Sequence, residues 1–592
     1  MNRDETLNRR LTLLSIGLIG VSLILLARLL SFQFRMNPEI KQALENQARS
    51  RYQQTVEVLP ARGQIFDRDG YLLATNSFDY RIGISPNQVV DRQDVAVKLA
   101  PLVGLSEDKL YRLLEPDANG QFPPYVLLAS RVSAEVGQAI ADLDIDGIII
   151  EPLPIRIYPQ GSLMAQIVGI FAGADERHTG QGYYGVEGYY QTLLAGQSKR
   201  VTRSNIPLLE ESQTKAMRVR DGMSLVLTID RDLQYLAQEV LTGFLEEDPT
   251  ATGGTILIMN PRNGEILAMA NYPPFDPGDL SEENLKRARN PAIADVYEPG
   301  SVFKVLTMAM ALDLGTHDLD WSYYDPGCFE AGGVAICNWD RTSHGNPDFA
   351  QVFIDSLNTG TATIYKEIGP YKVYPKLREF GIGSPTGVDL EGESPGILVE
   401  PGDPNWSEAQ FLNNSYGQGV SVTPLQLLTA VNAIANDGLI MQPHIVKARV
   451  DGDQVIETQP AAIHRPISEE AAHKARDIMV RVLRESNEIE FDLPGYTVAG
   501  KTGTAEIPAP YGYEPFAPGN SIASFIAFLP ANDPVVSILI KLDRPYGYWG
   551  SKTAAPLGAE LLRRLVVLME IPPDDVRYQL VAQGGSPLAR EY

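Results

Sequence analysis

An apolar stretch near the N-terminus places the strongest limit on how this chain can fold. Leu11 to Ala27 contains seventeen residues without a charge, and Leu29 to Phe34 extends the stretch beyond Arg28. The 24 residues from Leu11 to Phe34 make about 36 Å of helix, which is enough to cross a hydrocarbon core of about 30 Å. We therefore predict a transmembrane anchor over residues 11–34, preceded by a tail over residues 1–10.

The residues around the anchor predict its orientation. Arg3, Arg9 and Arg10 precede it, although Asp4 and Glu5 dilute their charge. The positive-inside tendency puts the N-terminus in the cytoplasm and the rest of the chain outside. A cleaved signal peptide is the competing interpretation, but no convincing A-x-A site follows the stretch. No other segment is long and apolar enough to span, so we predict a single-pass protein of the inner or plasma membrane.

Length, charge and histidine spacing exclude several classes of function. A chain of 592 residues is expected to form two or three domains after the anchor. The formal net charge of −24 argues against a nucleic-acid partner, which requires basic patches. The six histidines show no ligand spacing, and the chain has no phosphate loop or dinucleotide fingerprint. We therefore predict no metal site and no cofactor.

A serine and a lysine three residues apart form the first of three short motifs. Ser301 follows the breaker pair Pro299-Gly300 and precedes an apolar run that stops near Gly315. This pattern predicts a helix with Ser301 at its N-terminus and Lys304 on the same face. A buried lysine that is partly neutral can take the proton of a serine hydroxyl. An isolated pair of this kind is more often an N-cap serine and a solvated lysine.

The second motif is Ser356-Leu357-Asn358, after a predicted helix around Phe349–Leu357. From a loop between helices, Ser356 and Asn358 can both point into a cleft. The hydroxyl can then relay a proton, and the amide can hold a substrate carbonyl or the lysine. Taken alone, the motif is far more often a helix C-terminus with polar ends.

The third motif is Lys501-Thr502-Gly503-Thr504, which a predicted strand over Tyr496–Gly500 enters. Lys501 supplies a fixed positive charge, and the Thr502 hydroxyl can bind a carboxylate. Gly503 permits close approach of a backbone or a ligand. The amide of Thr504 becomes an oxyanion donor opposite the amide of Ser301. Together, the three motifs predict a serine acyl-transfer site whose base is a lysine.

In this order the motifs resemble those of the penicillin-recognising serine transferases, the penicillin-binding proteins and serine β-lactamases. Further segments narrow the resemblance to class B penicillin-binding proteins, and the similarity covers the chain from about Arg62 to Pro572. These segments are Arg62–Gly70, Gly185–Tyr190, Phe380–Gly383, Thr386–Val388 and Ser415–Gly419.

The predicted elements and the resemblance together imply an organisation in domains. Strands that flank a helical run after Met223 predict an α+β domain, in which helices cover an antiparallel sheet. The penicillin-recognising fold is built in this way. We expect a β-rich, non-catalytic pedestal of the dimerisation type over residues 35–221, a transpeptidase domain over 222–572 and a C-terminal tail over 573–592.

The resemblance also implies a reaction. Ser301 would attack the carbonyl of a D-Ala-D-Ala stem peptide, with Lys304 as base, and an amine of a neighbouring peptide would take the acyl group. The product is a peptidoglycan cross-link, and β-lactams would acylate the same serine. Ser356 and Asn358 would relay and position, and the segment from Lys501 to Thr504 would bind the carboxylate and the oxyanion.

Three alternatives stay open at this point. A β-lactamase would need a glutamate that activates water, and we find no convincing Glu-x-x-x-Asn segment between Asn358 and Lys501. A D,D-carboxypeptidase differs only in its acceptor. A non-catalytic cell-division scaffold would not need Ser301, Lys304 and Lys501.

Asn358 gives the only indication of subtype. Elongation-type relatives often carry aspartate at this position, so the asparagine resembles the division (septal) branch. In that branch the expected partner is a polytopic glycosyltransferase that contacts the membrane helix and the pedestal.

Two cysteines bracket a predicted hairpin that turns at Gly332-Gly333. Pairing outward from the turn sets Cys328 against Cys337, close enough for a disulfide in an oxidising compartment. Two buried free thiols are the equal alternative.

Further along, the loop Ile507–Gly519 is too rich in proline and glycine for a helix or strand, and we expect it to overhang the cleft.

Overall fold

A computed structural model describes residues 3–35, 42, 53–58, 60–174, 179–204, 219–510 and 512–582. The chain divides into two compact units. The first contains Met1–Pro60 and Gln197–Arg220, and the second contains Ala61–Gly196 and Asp221–Tyr592. The second unit carries all three motifs.

The described chain contains both helices and strands. The helices are α1 (Arg3–Arg35), α2 (Arg92–Val103), α3 (Glu107–Leu113), α4 (Ala134–Ala141), α5 (Ala165–Val168), α6 (Gly185–Tyr189), α7 (Gln191–Leu194), α8 (Arg231–Glu247), α9 (Glu282–Leu285), α10 (Pro291–Ala294), α11 (Lys304–Asp313), α12 (Phe349–Ile354), α13 (Asn358–Ile368), α14 (Pro370–Glu379), α15 (Glu408–Asn414), α16 (Pro424–Ala435), α17 (Glu469–Glu485), α18 (Ala554–Leu568) and α19 (Asp574–Ala582).

The strands are β1 (Gln53–Val58), β2 (Ile65–Phe66), β3 (Leu72–Ile84), β4 (Val126–Val132), β5 (Ile148–Ile157), β6 (Ile170–Ala174), β7 (Thr179–Tyr183), β8 (Lys199–Ser204), β9 (Ser224–Leu227), β10 (Gly253–Met259), β11 (Ile266–Tyr272), β12 (Cys328–Ala331), β13 (Val334–Cys337), β14 (Ile440–Met441), β15 (Val446–Asp451), β16 (Gln454–Glu457), β17 (Ala462–His464), β18 (Ala499–Glu506), β19 (Pro508–Ala509), β20 (Gly512–Tyr513), β21 (Ser521–Leu529) and β22 (Val536–Asp543).

The first unit holds the predicted anchor. Among the described residues, one helix is long and apolar enough to cross a membrane, over Arg9–Ser31 with a mean hydropathy of 2.4. The expected span from Leu11 to Phe34 overlaps this segment. In the same unit β1 and β8 form an antiparallel ladder.

A seven-stranded sheet runs through the second unit in the order β16-β15-β9-β2-β3-β4, with β5 also paired to β3. The long pairing of β3 with β5 covers the predicted strands near residues 80–84 and 147–153. Helices α2, α3 and α4 pack on this part of the sheet around Ile82, Leu99 and Leu110, all fully buried. Because β9 joins β2 to β15, residues on both sides of the expected boundary near 221 share one sheet.

A buried ion-pair cluster ties the pedestal segments together. The fully buried Glu187 carboxylate accepts hydrogen bonds from Arg156 (2.8 Å) and from Arg62 (Nε, 2.7 Å). Arg156 also donates to the carbonyl oxygen of Gly63 and to Oδ1 of Asn76, 2.7 Å in each case. A buried carboxylate is tolerated when charged donors satisfy it in this way. Arg62 and Glu187 lie in two of the segments that resemble family signatures, so a hydrogen-bonded ion pair joins these two segments directly.

The five-stranded sheet β11-β10-β22-β21-β18 is antiparallel throughout. Its strands are apolar without alternation because both faces are covered. Ile256 and Ile540 lie in the core shared with α8 and α18, while Leu257 and Leu539 lie in the core shared with α11, α16 and α17. This is the predicted α+β arrangement, and it leaves β18 at an edge of the sheet.

Several predicted boundaries differ from the structure. The helix expected over Phe349–Leu357 ends at Ile354, because Ser356 has a left-handed φ of +56°. The strand expected over Tyr496–Gly500 begins at Ala499 and includes the third motif itself. The loop after it is not free of strand, since β19 and β20 pair within it.

The C-terminal segment also differs from the expected tail over residues 573–592. Its first part is the helix α19, which packs against the domain. Oδ2 of Asp574 accepts a hydrogen bond from the amide of Thr497 (2.7 Å), and the buried Arg577 pairs with Asp533 at 3.1 Å. These contacts hold the helix next to the start of β18.

Candidate active site

The turn that carries Ser301 packs directly on the edge strand β18. Gly300–Phe303 forms a turn of 3₁₀ helix that leads into α11. Gly300 has a φ of +58°, and a Cβ there would lie 2.5 Å from the carbonyl oxygen of Thr504. In return, a Cβ on Gly503 would lie 2.8 Å from the carbonyl oxygen of Pro299. Only glycine permits both close approaches, so the first and third motifs meet as the sequence predicts.

Lys304 follows Ser301 by three residues, at the start of α11, and is fully buried. Its Nζ donates to the carbonyl oxygen of Ser356 (2.6 Å) and to Oδ1 of Asn358 (2.7 Å), and Oγ of Ser356 lies at 3.2 Å. Burial, and then the charge of Lys501, lower the pKa of Lys304 well below its usual range. A neutral amine has two N–H bonds, and the two carbonyl oxygens accept both. Its lone pair is then available to take a proton from a hydroxyl.

Ser356 connects the two buried lysines. Its Oγ lies 3.2 Å from Nζ of Lys304 and 3.2 Å from Nζ of Lys501. A left-handed φ is unusual for serine, and such strained residues concentrate at functional sites. The strain turns the carbonyl oxygen and the hydroxyl of the same residue toward Lys304. This geometry suits a hydroxyl that passes a proton between the serine, the lysines and a substrate.

Asn358 is the first residue of α13, so it lies on a helix and not in the expected loop. Its Oδ1 accepts from Lys304, and its Nδ2 donates to the carbonyl oxygen of Cys337 (2.9 Å). The second bond fixes which way the amide faces. In the structure Cys337 is opposite Cys328 in the hairpin, and the two form a disulfide, which closes the base of that hairpin.

The third motif forms the sheet side of the site. Lys501 is 2% exposed, and burial lowers its pKa to about 7. Oγ1 of Thr504 accepts from the amide of Gly550 (2.9 Å), so the segment before α18 is anchored on β18. Because β18 pairs only with β21 among the described strands, its other edge has backbone groups that can bind an extended peptide.

A cavity of about 540 Å³ opens over these residues and is lined by Ser301, Ser356, Asn358, Lys501, Thr502 and Thr504. The sequence motifs therefore meet at one site. Sequence reasoning did not assign further lining residues to it. They include Trp339, His344, Asp355, Tyr416, Gln418 and Trp549.

Local signals for some of these residues are present in the sequence. Tyr416 and Gln418 belong to Ser415–Gly419, a segment noted only for its resemblance. Trp549 lies in the aromatic run Tyr546-Gly547-Tyr548-Trp549-Gly550, between a strand and a helix. An aromatic and glycine-rich connection at a strand end is typical of a binding loop.

The loop after β18 contacts the rim of this cavity. Phe516 packs against Trp549 with ring centroids 5.0 Å apart. The hydroxyl of Tyr513 donates to Oε2 of Glu298 (3.0 Å), three residues before Ser301. Burial raises the pKa of Glu298 to about 7, against the hydrogen bonds from Gly419 and Tyr513. These contacts tie the loop to the segment that precedes the nucleophile.

Comparisons with known proteins agree with this geometry. Residues 254–563 match the family model described as the penicillin binding protein transpeptidase domain. Residues 57–217 match the model of the penicillin-binding protein dimerisation domain. The first range contains the three motifs and the cavity, and the second lies within the expected pedestal.

Whole proteins show the same similarity. The chain is 32% identical to stage V sporulation protein D of Bacillus subtilis, over 96% of this chain and 87% of that protein. It is 27% identical to peptidoglycan D,D-transpeptidase FtsI of Buchnera aphidicola, over 88% of this chain and 89% of that protein. The crystal structure of penicillin binding protein 3 from Mycobacterium tuberculosis, complexed with aztreonam, has a TM-score of 0.65 and 26% identity, and covers 90% of this chain and 100% of that chain.

Proposed function

Because the chain belongs to the class B penicillin-binding proteins, the cell-wall D,D-transpeptidases, we propose that Ser301 is its catalytic nucleophile and Lys304 its base. The observation that supports this assignment is the environment of Lys304. A fully buried lysine with a strongly lowered pKa follows, three residues later, a serine that lines an open cavity. Perturbed pKa values in a cleft are typical of catalytic groups.

In the first half of the reaction, Oγ of Ser301 attacks the carbonyl carbon of the penultimate D-alanine of a stem peptide. Lys304 takes the serine proton, and Ser356 passes a proton to the leaving D-alanine. The amides of Ser301 and Thr504 donate to the oxyanion. Removal of one oxyanion donor typically costs two to three orders of magnitude in rate, so both amides matter.

Substrate binding follows from the edge position of β18. We propose that the donor peptide pairs with the free edge of this strand, and that Lys501 and Thr502 bind its terminal carboxylate. The carboxylate approaches a buried ammonium whose pKa is about 7 in the free enzyme. An opposite charge nearby favours the protonated form, so substrate binding itself raises the pKa of Lys501.

In the second half of the reaction an amine of another peptide attacks the acyl-enzyme and forms the cross-link.

We propose that the protein works outside the cytoplasm at the septum, with the N-terminal helix as its single anchor and the N-terminus inside. The expected partner is a polytopic glycosyltransferase that contacts the anchor and the pedestal. The septal assignment rests on Asn358 and on the similarity to FtsI. The pedestal and transpeptidase boundaries are proposed at residues 35–221 and 222–572.

A fluorescent penicillin tests the proposal. The unchanged protein should form one long-lived covalent adduct, and Ser301→Ala should form none. Lys304→Ala should slow the reaction by several orders of magnitude, because the serine loses its base. Rapid turnover of the adduct would indicate a β-lactamase instead, and absence of any adduct would indicate a non-catalytic scaffold. A carboxypeptidase would release the acyl group of a peptide donor to water even with an amine present.

A further inference from the structure

We propose that Asp355, assisted by the indole of Trp339, binds the amine of the acceptor substrate in the second half-reaction. This inference rests on the proposed function, because it assigns a subsite within the same cavity. The acceptor is identified by its chemistry as a primary amine that arrives as an ammonium ion. The three motifs leave this second substrate without a binding group.

Charged residues are unevenly placed in the lining of the cavity. On the sheet side the lining includes Lys501 from β18 and Lys552 from the segment before α18. On the helical side it includes Asp355, which follows α12, and His344, which precedes α12. An acyl transfer of this kind brings a carboxylate with the donor and an ammonium with the acceptor. The cationic side suits the donor. A second carboxylate, Glu488, lies in the segment that leads to β18, so Asp355 is the carboxylate left for the acceptor on the helical side.

Asp355 is next in the chain to a residue of the second motif. It immediately precedes Ser356, whose Oγ lies 3.2 Å from Nζ of both Lys304 and Lys501. The left-handed φ of Ser356 turns the chain at this point. An amine bound to the Asp355 carboxylate would share the cavity with Ser301, Ser356 and Lys501.

The carboxylate of Asp355 is held through one of its two oxygen atoms. Nε2 of Gln351, one turn earlier on α12, donates to Oδ2 of Asp355 (2.7 Å). Nδ1 of His344 lies 3.9 Å from the same oxygen, and Nε2 of His344 lies 3.1 Å from Oδ2 of Asp340. None of the described residues donates a hydrogen bond to Oδ1 of Asp355. The carboxylate is thus oriented through one oxygen, and its other oxygen can accept from a ligand.

Trp339 adds an aromatic surface to the lining of the same cavity. Its indole is 49% exposed and meets Trp549 edge-on, with ring centroids 6.0 Å apart. The preceding residue, Asn338, is buried, and its Nδ2 donates to Oδ2 of Asp325 (2.8 Å), which fixes the start of this segment. An ammonium over an indole face is stabilised by cation–π attraction.

Protons are conserved when the acceptor amine attacks the acyl-enzyme. The acceptor ammonium loses one proton to water, and the neutral nitrogen keeps one N–H bonded to the Asp355 carboxylate. The nitrogen attacks the acyl carbon, a C–N bond forms, and the C–O bond to Ser301 breaks. The other N–H proton passes through Lys304 to Oγ of Ser301, which regenerates the free serine.

The test measures how the acyl-enzyme divides between an amine and water. Full-length protein is acylated with a D-alanyl thioester donor in the presence of D-alaninamide, and the ratio of aminolysis to hydrolysis is followed. This ratio does not depend on how fast the acyl-enzyme forms. Asp355→Asn should lower the ratio at least about tenfold, because a charge-assisted hydrogen bond contributes that much to binding. Acylation by a fluorescent penicillin should change less than about threefold, since that reaction uses no acceptor.

Glu488→Gln is the matched control, because Glu488 also lines the cavity but comes from the segment between α17 and β18. It removes the same charge and should leave the ratio unchanged. An unchanged ratio in Asp355→Asn, or an equal fall in both variants, would overturn the assignment. If Asp355→Asn does not acylate, Trp339→Leu decides, with an expected fall of about two- to fivefold and refutation by an unchanged ratio. Failure of the unchanged protein to acylate would contradict the proposed function itself.

Discussion

Nζ of Lys304 lies 2.7 Å from Oδ1 of Asn358, and this contact joins the first motif to the second across 54 residues of sequence. The amide of Asn358 is fixed from the other side by the carbonyl oxygen of Cys337. A buried lysine is therefore held by neutral oxygen atoms of Asn358 and Ser356, and none of the carboxylates among the described residues lies within hydrogen-bond distance of it. Burial, and then the charge of Lys501, lower the pKa of Lys304, and its neutral partners do not offset this effect, so the lysine is able to act as a base.

Replacement of Asn358 by aspartate tests this role. Asn358→Asp places a carboxylate beside Lys304, which stabilises the ammonium and raises its pKa. The acid side of the pH profile for penicillin acylation should therefore move to higher pH, by about 1–3 units. Asn358→Ala, the control, removes the amide without adding charge. It should lower the rate at every pH without an upward shift, and an unshifted profile in Asn358→Asp would contradict the account.

The alkaline side of the same profile should report Lys501. Because burial lowers its pKa to about 7, its positive charge is lost as the pH rises through that value in the free enzyme. The second-order rate constant for acylation by an anionic penicillin should then fall with a midpoint near pH 7. Lys501→Arg keeps its charge at all these pH values and should lack this fall, even if its rate is lower. A fall at the same pH in the arginine variant would assign it to another group.

Gly503→Ala should separate packing from chemistry. A Cβ at this position would lie 2.8 Å from the carbonyl oxygen of Pro299 and 2.8 Å from Cγ2 of Val302. The turn that carries Ser301 must then move away from β18, which we expect to cost about 1–3 kcal/mol of stability and most of the acylation rate.

Gly243→Ala is the matched control for that substitution. Gly243 lies inside α8, and a Cβ there has no atom within 4 Å. This variant should gain up to about 1 kcal/mol in stability and keep its acylation rate. Thermal unfolding and penicillin acylation of both variants check the pair. Equal behaviour of the two would show that the contact between Gly503 and the turn is unimportant.

The disulfide should stabilise the hairpin that supports Asn358. Cys328 and Cys337 are nine residues apart, and closing a loop of this length is worth roughly 2.5 kcal/mol through the unfolded chain. Reductant should lower the melting temperature of the unchanged protein. The double variant Cys328→Ser with Cys337→Ser should melt at the lower temperature and be insensitive to reductant. No effect of reductant on the unchanged protein would exclude a stabilising disulfide.

The sequence predicted which motif residues meet at the cavity better than it predicted the rest of the lining. Ser301 and Lys304 are linked by helical spacing, and the hairpin register follows from pairing outward from Gly332-Gly333, so both could be inferred locally. The left-handed φ of Ser356 could not be inferred in this way, because serine does not favour that conformation.

Residues that reach the cavity from distant segments were also missed. Trp339 and Trp549 are 210 positions apart. Neither lies in a sequence motif that indicates which residues it contacts in the fold. The same applies to the helix α19, whose attachment depends on Asp574 meeting the amide of Thr497. Such contacts are set by tertiary packing, which spacing and composition do not encode.

The central claim is that Ser301 becomes covalently acylated, and mass spectrometry tests it most directly. The unchanged protein is treated with a penicillin, digested, and its peptides are mapped. We predict one penicilloyl group per chain, located on Ser301, with none on Ser356 and none anywhere in the Ser301→Ala variant. A penicilloyl group on any other residue, or an equal yield of adduct from Ser301→Ala, would contradict the account.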